Sequence, residues 1–129
     1  MEPKLTVCVD LDGVLATYDG WKGIDHIGEP RPGAAGFMAN LRQRYIVVVF
    51  TTRCKLDMGG RGDGETPDTL AARVRAWLER HAIEFDDVYT GQGKPFYAAL
   101  VDDRAVGIPS NPGVFDFANA LLEVARVAK

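Results

Sequence analysis

Two continuous apolar runs dominate the pattern of hydrophobic and polar positions: Leu5 to Val9, and Tyr45-Ile46-Val47-Val48-Val49-Phe50. Short unbroken runs rich in β-branched residues predict strands buried on both faces, as in a parallel sheet. Between them, residues 33–44 carry Ala34, Phe37 and Leu41 at helical spacing. Thr66-Pro67-Asp68 predicts a second helix start, with a capping hydroxyl, a proline at the first helical position and an early acid. The apolar face of that helix is Leu70, Val74, Trp77 and Leu78. Asp87 to Tyr89 and Ala98 to Val101 read as two more strands. A last helix is expected from about Asp116 to Ala128, with Phe117, Leu121, Val124 and Ala125 on one side.

Strands that alternate with helices imply an α/β chain: a three-layer, Rossmann-like, mostly parallel sheet with helices on both faces. Residues 1–129 are expected to form one domain, with no repeat and no linker to divide them. Two stretches, 17–32 and 54–65, break the rhythm. Each follows a strand and so belongs at the carboxyl edge of the sheet, where such folds bind ligands. Both are candidate flaps, and glycines at 59, 60, 62 and 64 suit the second to movement.

Composition narrows the function. The formal net charge is −3, with the fifteen basic residues spread along the chain, which argues against general nucleic-acid binding. A phosphorylated ligand would meet a weakly repulsive surface, so its site must supply positive charge locally. No apolar run approaches a membrane span, and Met1 to Lys4 leads straight into the first strand without the pattern of a leader. Cys8 and Cys54 have neither metal-ligand spacing nor the density of a disulfide scaffold. Reduced thiols and a cytoplasmic location are expected.

Chemistry concentrates at four strand ends. Asp10-Leu11-Asp12-Gly13 places two carboxylates after the first strand, with a glycine to turn the chain. A buried acid pair is costly unless a cation neutralises it. Phe50-Thr51-Thr52-Arg53 offers hydroxyls and backbone amides that can hold phosphate oxygens. Read alone, it is equally a strand end capping the next turn. Gly91-Gln92-Gly93-Lys94-Pro95 carries a lysine which alone would be a solvated turn residue, and Asp102-Asp103-Arg104 alone would be an exposed ion pair. In order along one parallel sheet, the four supply hard oxygen ligands suited to magnesium, a nucleophilic carboxylate, a proton-transfer acid and a cation for phosphate.

In these motifs, Asp10-Leu11-Asp12-Gly13, Thr51, Lys94 and Asp102-Asp103, the chain resembles the haloacid dehalogenase-like (HAD) hydrolase superfamily. The resemblance implies a phosphatase acting on phosphomonoesters through an aspartyl phosphate. In it Asp10 is the nucleophile, and Asp12 is the acid that protonates the leaving oxygen and then the base for water. Thr51, with Thr52 beside it, and Lys94 would bind the phosphoryl group. Magnesium would be held by the Asp10 carboxylate, the Asp12 backbone carbonyl, Asp102 and Asp103. Asp12 favours phosphoryl transfer over dehalogenation, since dehalogenases of the superfamily lack that second aspartate. Two departures stand out. Only seven residues separate Lys94 from Asp102, too few for the crossover helix that usually joins parallel strands. Neither loop is long enough for a cap domain, so a minimal, HAD-like capless member is expected.

Arg53, His26 and Arg31 are the loop residues able to contact the rest of a phosphorylated substrate, a small molecule or a polymer end. A monomer or small homo-oligomer is expected. The alternative from another class is a phospho-accepting or phosphate-binding signalling domain without turnover. A receiver-type domain would carry its lysine after its acid pair, and here Lys94 precedes Asp102-Asp103.

Overall fold

The computed structural model describes residues 3–56 and 64–128. The elements run β1 (Thr6–Val9), α1 (Ala34–Arg42), β2 (Ile46–Val49), a 3₁₀ turn (Thr52–Cys54), α2 (Pro67–Arg80), β3 (Asp87–Val88), β4 (Ala99–Val101) and α3 (Val114–Val127). The four strands form one parallel sheet in the order β3-β2-β1-β4. The Rossmann-like α/β class read from the apolar runs is the class observed.

Side chains alternate across a strand, so the register sorts the sheet into two faces. Val7 pairs with Val47 and Ala99, and Val9 with Val49 and Val101, while Val49 pairs with Val88. Val7, Val9, Val47, Val49 and Val88 form one buried cluster with Ala34 and Met38 of α1 and with Ala71, Val74, Trp77 and Leu78 of α2. Both helices therefore cover the same face, as right-handed β1-α1-β2 and β2-α2-β3 crossovers require. Each fully buried Val or Leu in this cluster stabilises the fold by about 1.5–3 kcal/mol relative to its exposed state.

Helix boundaries follow local chemistry. Helix α1 begins after Gly33, whose φ of 88° only glycine adopts without strain. Its buried residues are Ala34 and Met38, one turn apart, while Phe37 is 40% exposed; the inward stripe is rotated by one position from the expected one. Helix α2 is capped as the sequence predicts. Thr66 Oγ1 accepts from the Thr69 N–H at 3.1 Å, and Thr69 Oγ1 accepts from the Thr66 N–H at 2.8 Å.

The second face of the sheet differs from the expectation of helices on both faces. Helix α3 follows β4, yet among the described residues it packs against no other helix or strand, and none of its residues is buried. The connection from β3 to β4 crosses from one edge of the sheet to the other as irregular chain, and its end is tied to β1 where the Ala98 N–H donates to Thr6 O at 2.8 Å. Among the described residues no helix is long and apolar enough to cross a membrane.

Candidate active site

Register brings the first and last motifs together. Val9 of β1 pairs with Val49 on one side and Val101 on the other, so Asp10, Phe50 and Asp102 leave the sheet in one row. The Asp10 N–H donates to Val101 O at 2.9 Å, and the Phe50 N–H donates to Val9 O at 3.0 Å, which extends the ladder one step past the strands. The chain moves from β1 outward through β2 to β3, then returns to place β4 on the other side of β1. Asp10 and Asp102 thus flank the point where strand order reverses, the usual ligand crevice of an open α/β sheet.

One carboxylate oxygen from each of Asp10, Asp102 and Asp103 lies within 4.8 Å of the other two. Asp10 Oδ1 accepts from the Leu11 N–H at 2.8 Å, and Asp102 Oδ1 accepts from the Arg104 N–H at 2.9 Å. Burial raises the Asp10 carboxyl to about 7; the Leu11 N–H opposes the shift, and the charges of Asp102, Asp103 and Asp12 add to it.

The turn after Asp10 is built to hold this crowding. Leu11 and Leu15 are almost fully buried, and the Leu11 carbonyl accepts from the N–H groups of Val14, Leu15 and Ala16 at 3.2, 2.9 and 2.9 Å. Gly13 has a φ of 86°, and a Cβ there would lie 2.4 Å from Asp103 Oδ2. The backbone conformation requires glycine at this position, and the absence of a side chain leaves room for the Asp103 carboxylate beside it. The apolar side chains anchor the turn below while Asp10 and Asp12 are offered above.

Asp12 is held by Arg53. Arg53 Nε donates to Asp12 Oδ2 at 2.7 Å and Nη2 to Oδ1 at 2.9 Å, a bidentate pair. Arg53 is only 4% exposed, and its Nη1 is buried with no hydrogen-bond partner among the described residues. The Trp21 ring lies under the guanidinium, 4.9 Å from centroid to Cζ. Expected as a loop residue turned toward the substrate, Arg53 is instead committed along one edge to a motif aspartate. Nothing in the periodicity of the chain reveals this pair, because its members are 41 positions apart. Only the β1–β2 register makes them neighbours.

The remaining candidates are placed as follows. Thr51 is buried at the end of β2, and its Oγ1 accepts from the Arg53 N–H at 3.2 Å, while Thr52 is exposed. Lys94 is exposed on the β3–β4 connection with its ammonium 5.7 Å from the centre of the Tyr97 ring, and it makes no ion pair among the described residues. Gln92 fixes the connection that carries Lys94 to the 3₁₀ turn after β2, donating from Nε2 to Cys54 O at 3.1 Å and accepting at Oε1 from the Leu56 N–H at 3.0 Å. His26 lines a surface hollow against α2 with Arg73, Trp77 and Arg80. Arg31 Nη1 donates to Thr17 Oγ1 at 3.4 Å and its N–H to Leu15 O at 2.8 Å, so it closes the first loop on itself.

That first loop is a fastened structure. Ala16 bridges to Asp12 and to Pro30, the Thr17 N–H donates to Glu29 O at 2.8 Å, and Trp77 Nε1 of α2 donates to Gly28 O at 3.1 Å. The glycine-rich part of the second expected flap, residues 57–63, lies outside the described residues.

No protein-family model matches the chain, and no curated protein matches it. Among solved structures, a conserved protein from Bacteroides thetaiotaomicron is similar, with a TM-score of 0.52 at 22% identity over 98% of this chain and 93% of that one. At this identity the likeness concerns the fold: an α/β arrangement shared along nearly the whole length of both chains.

Proposed function

We propose that this chain is a magnesium-dependent phosphohydrolase that forms an aspartyl phosphate on Asp10. The observation that carries the reading is the convergence of Asp10, Asp102 and Asp103 from two adjacent strand ends, beside an Asp12 held by Arg53. The donor set fits a magnesium ion. It consists of hard oxygens, and burial, with the neighbouring carboxylates adding to it, raises the Asp10 carboxyl, a cost to its charged form that a divalent cation relieves. Asp10, Asp102 and Asp103 would hold the ion, which when bound supplies charge neutralisation for Asp10 and for the phosphoryl oxygens.

The chain's own groups divide the work. Asp10 Oδ1 is engaged by the Leu11 N–H, which leaves Oδ2 freer to attack phosphorus. Attack forms the Asp10–phosphorus bond and breaks the bond to the leaving oxygen, which takes a proton from Asp12. Water then attacks phosphorus, gives a proton to Asp12 and releases the Asp10 carboxylate. For either transfer one of the two Arg53 bonds has to open, freeing an Asp12 oxygen for the proton while the other bond keeps the side chain oriented. Thr51 Oγ1 already accepts a backbone N–H, so its own proton is available to a phosphoryl oxygen. The substrate class is a phosphomonoester, of a small molecule or a polymer end.

The test is turnover of p-nitrophenyl phosphate and a panel of sugar phosphates, nucleotides and phosphorylated polymer ends, with and without magnesium. Release of phosphate that stops with chelator, returns with magnesium and is absent from Asp10→Asn is expected. Turnover that persists in Asp10→Asn or ignores chelator would overturn the proposal. One observation favours a second reading: both oxygens of Asp12 are engaged by Arg53 and Lys94 stands on Tyr97. A phospho-accepting domain without turnover would gather label on Asp10 from a small phosphodonor and release none.

A further inference from the structure

The first loop returns to the motif it leaves. It departs from Asp12 and is closed at its neck, where Ala16 bridges to Pro30 and the Thr17 N–H donates to Glu29 O. Beyond the neck the lobe is fastened to α2 twice, by Trp77 Nε1 on Gly28 O and by Arg73 Nε on Asp25 Oδ1 at 2.8 Å. Its outer part is held from within: Lys22 Nζ lies 3.1 Å from Asp19 Oδ1, and the His26 N–H donates to Gly23 O at 3.3 Å. Trp21 stands in that outer part, and its ring meets the Arg53 guanidinium at 4.9 Å from centroid to Cζ. Arg53 in turn holds Asp12. The chain thus runs from Asp12 out along the lobe and comes back to Asp12 through Trp21 and Arg53. Trp21 is 40% exposed and is no member of the buried cluster, so core packing does not account for its place.

What the ring adds follows from the shape of the pair. A guanidinium is planar, and the bonds from Nε and Nη2 fix one of its edges against the carboxylate. Two bonds along one edge leave the plane able to rock about the line that joins the two oxygens. A third bond at Nη1 would stop this, but Nη1 has no hydrogen-bond partner among the described residues. The Trp21 ring, set against the guanidinium, is a contact that does stop it. Arg53 is almost fully buried, and attraction between a cation and a ring is stronger where water is excluded. The restraint matters most during the chemistry. When one Arg53 bond opens to free an Asp12 oxygen, the bond that remains is a swivel, and the ring is the second point that keeps the plane, and with it Asp12, in place.

We propose that Trp21 is a positioning residue for the proton transfers of Asp12, acting through the Arg53 guanidinium. The inference rests on the phosphohydrolase reading for its chemistry and on the geometry alone for the clamp. In the step it serves, the bond between phosphorus and the leaving oxygen breaks, its electron pair goes with that oxygen, and the proton of the Asp12 carboxyl passes to it. An alkoxide, a poor leaving group, needs that proton in the transition state, whereas p-nitrophenolate needs it little. Loss of Trp21 therefore shows in kcat, by an amount set by the leaving group. The KM, set by the groups that bind the phosphoryl oxygens, changes little.

Turnover of an alkyl phosphate and of p-nitrophenyl phosphate by the wild type, Trp21→Ala and Trp21→Phe tests the chemistry. Trp21→Ala should lower kcat by about 10-fold with the alkyl phosphate and by less than about 3-fold with p-nitrophenyl phosphate, with KM kept within about 2-fold. Trp21→Phe keeps an aromatic face and should recover most of the loss. A tryptophan that only props the loop would lower both rates by one factor; that result, or no loss at all, would overturn the proposal. A second measurement needs no turnover. In nitrogen NMR of the protein in chelator, the Arg53 Nε–H should be moved upfield by the Trp21 ring, with slow rotation about Nε–Cζ, in the wild type and to a lesser degree in Trp21→Phe. In Trp21→Ala the displacement should vanish and the rotation quicken. An Arg53 signal that is the same in the wild type and in Trp21→Ala would overturn the clamp whatever the kinetics. If no form of the protein hydrolyses any phosphomonoester while the Arg53 signal behaves as expected, the phosphohydrolase reading falls, and the proton-transfer role falls with it, but the clamp of Trp21 on Arg53 stands.

Discussion

Asp10 carries a conflict between stability and chemistry that can be measured. Its carboxyl is raised from 3.8 to about 7, first by burial and then by the neighbouring carboxylates. Between those values the native chain binds more protons at Asp10 than the unfolded chain does. Stability from this group is therefore greatest below about pH 4 and is lost as pH rises through about 7. Asp10→Asn removes the loss. The variant should be more stable than the wild type at pH 8 by about 1–2 kcal/mol and little different at pH 4, while turnover disappears. Denaturant unfolding in chelator at the two pH values checks this, and added magnesium should narrow the gap by stabilising the wild type alone. A gap of the same size at both pH values would mean that Asp10 does not titrate as described. Arg53 makes the complementary case. Arg53→Ala leaves Asp12 unheld and should cost about 3 kcal/mol of stability and on the order of 10²-fold in kcat. Arg53→Lys keeps the charge without the fork and should fall between. An equal kcat loss across phosphomonoesters marks Arg53 as a positioning residue for Asp12. A loss that grows with anionic leaving groups would assign its unpartnered Nη1 to the substrate.

Among the elements, the first loop is where sequence and structure are most informative about each other. Its lack of periodicity reads as a flap, yet residues 12–31 are pinned to themselves and to α2 by Ala16, Thr17 and Trp77. Gly28 permits this: a Cβ there would lie 2.0 Å from the Thr17 carbonyl oxygen. Gly28→Ala should therefore lower the denaturation midpoint by the equivalent of about 2–3 kcal/mol, because backbone rather than a flexible side chain must move. Trp77→Phe, which loses only the bond to Gly28 O, should cost about 1 kcal/mol. Equal costs would mean that the loop is held elsewhere. Strands were legible because continuous Val and Ile runs have few other uses, and α2 was legible because Thr66, Pro67 and Leu70 to Leu78 state its cap and its face. The meeting of Asp10 with Asp102-Asp103 was legible as well, since parallel strands must deliver their ends to one edge. The Arg53–Asp12 clamp was not, because a side-chain pair across two strands leaves no periodic trace. The course of the chain around Lys94 was not legible either. Its motif spacing resembles that of a strand end, but without a crossover helix the connection is held by Gln92 and Tyr89.

At the scale of the whole molecule, stability is distributed unevenly, and the unevenness can be ranked. The buried cluster joins β1, β2, β3, α1 and α2 on one side of the sheet, while α3 buries nothing among the described residues. An isolated helix of fewer than about 12–15 residues is marginal in water because nucleation is unfavourable, and α3 has 14. Its local supports are modest: Asp116 Oδ2 accepts from the Gly113 N–H at 2.9 Å at the start, and Arg126 pairs with Glu123 at the exposed end. Such contacts stabilise a helix by a few tenths of a kcal/mol to about 1 kcal/mol each, which is too little to protect its amides strongly. Amide hydrogen exchange should accordingly rank β1 and β2 slowest, α2 next and α3 fastest in dilute solution. Raising the protein concentration should leave β1 and β2 unchanged, their amides being held in the sheet ladder, and slow exchange in residues 114–127 only where another copy covers α3. The coupling follows from mass action: association protects only the segments it buries, whereas the core is already protected by folding. Strong protection of α3 at the lowest concentration, independent of dilution, would place the helix on its own sheet. Protection that never develops would leave the apolar stripe of α3 without a partner in the homogeneous protein.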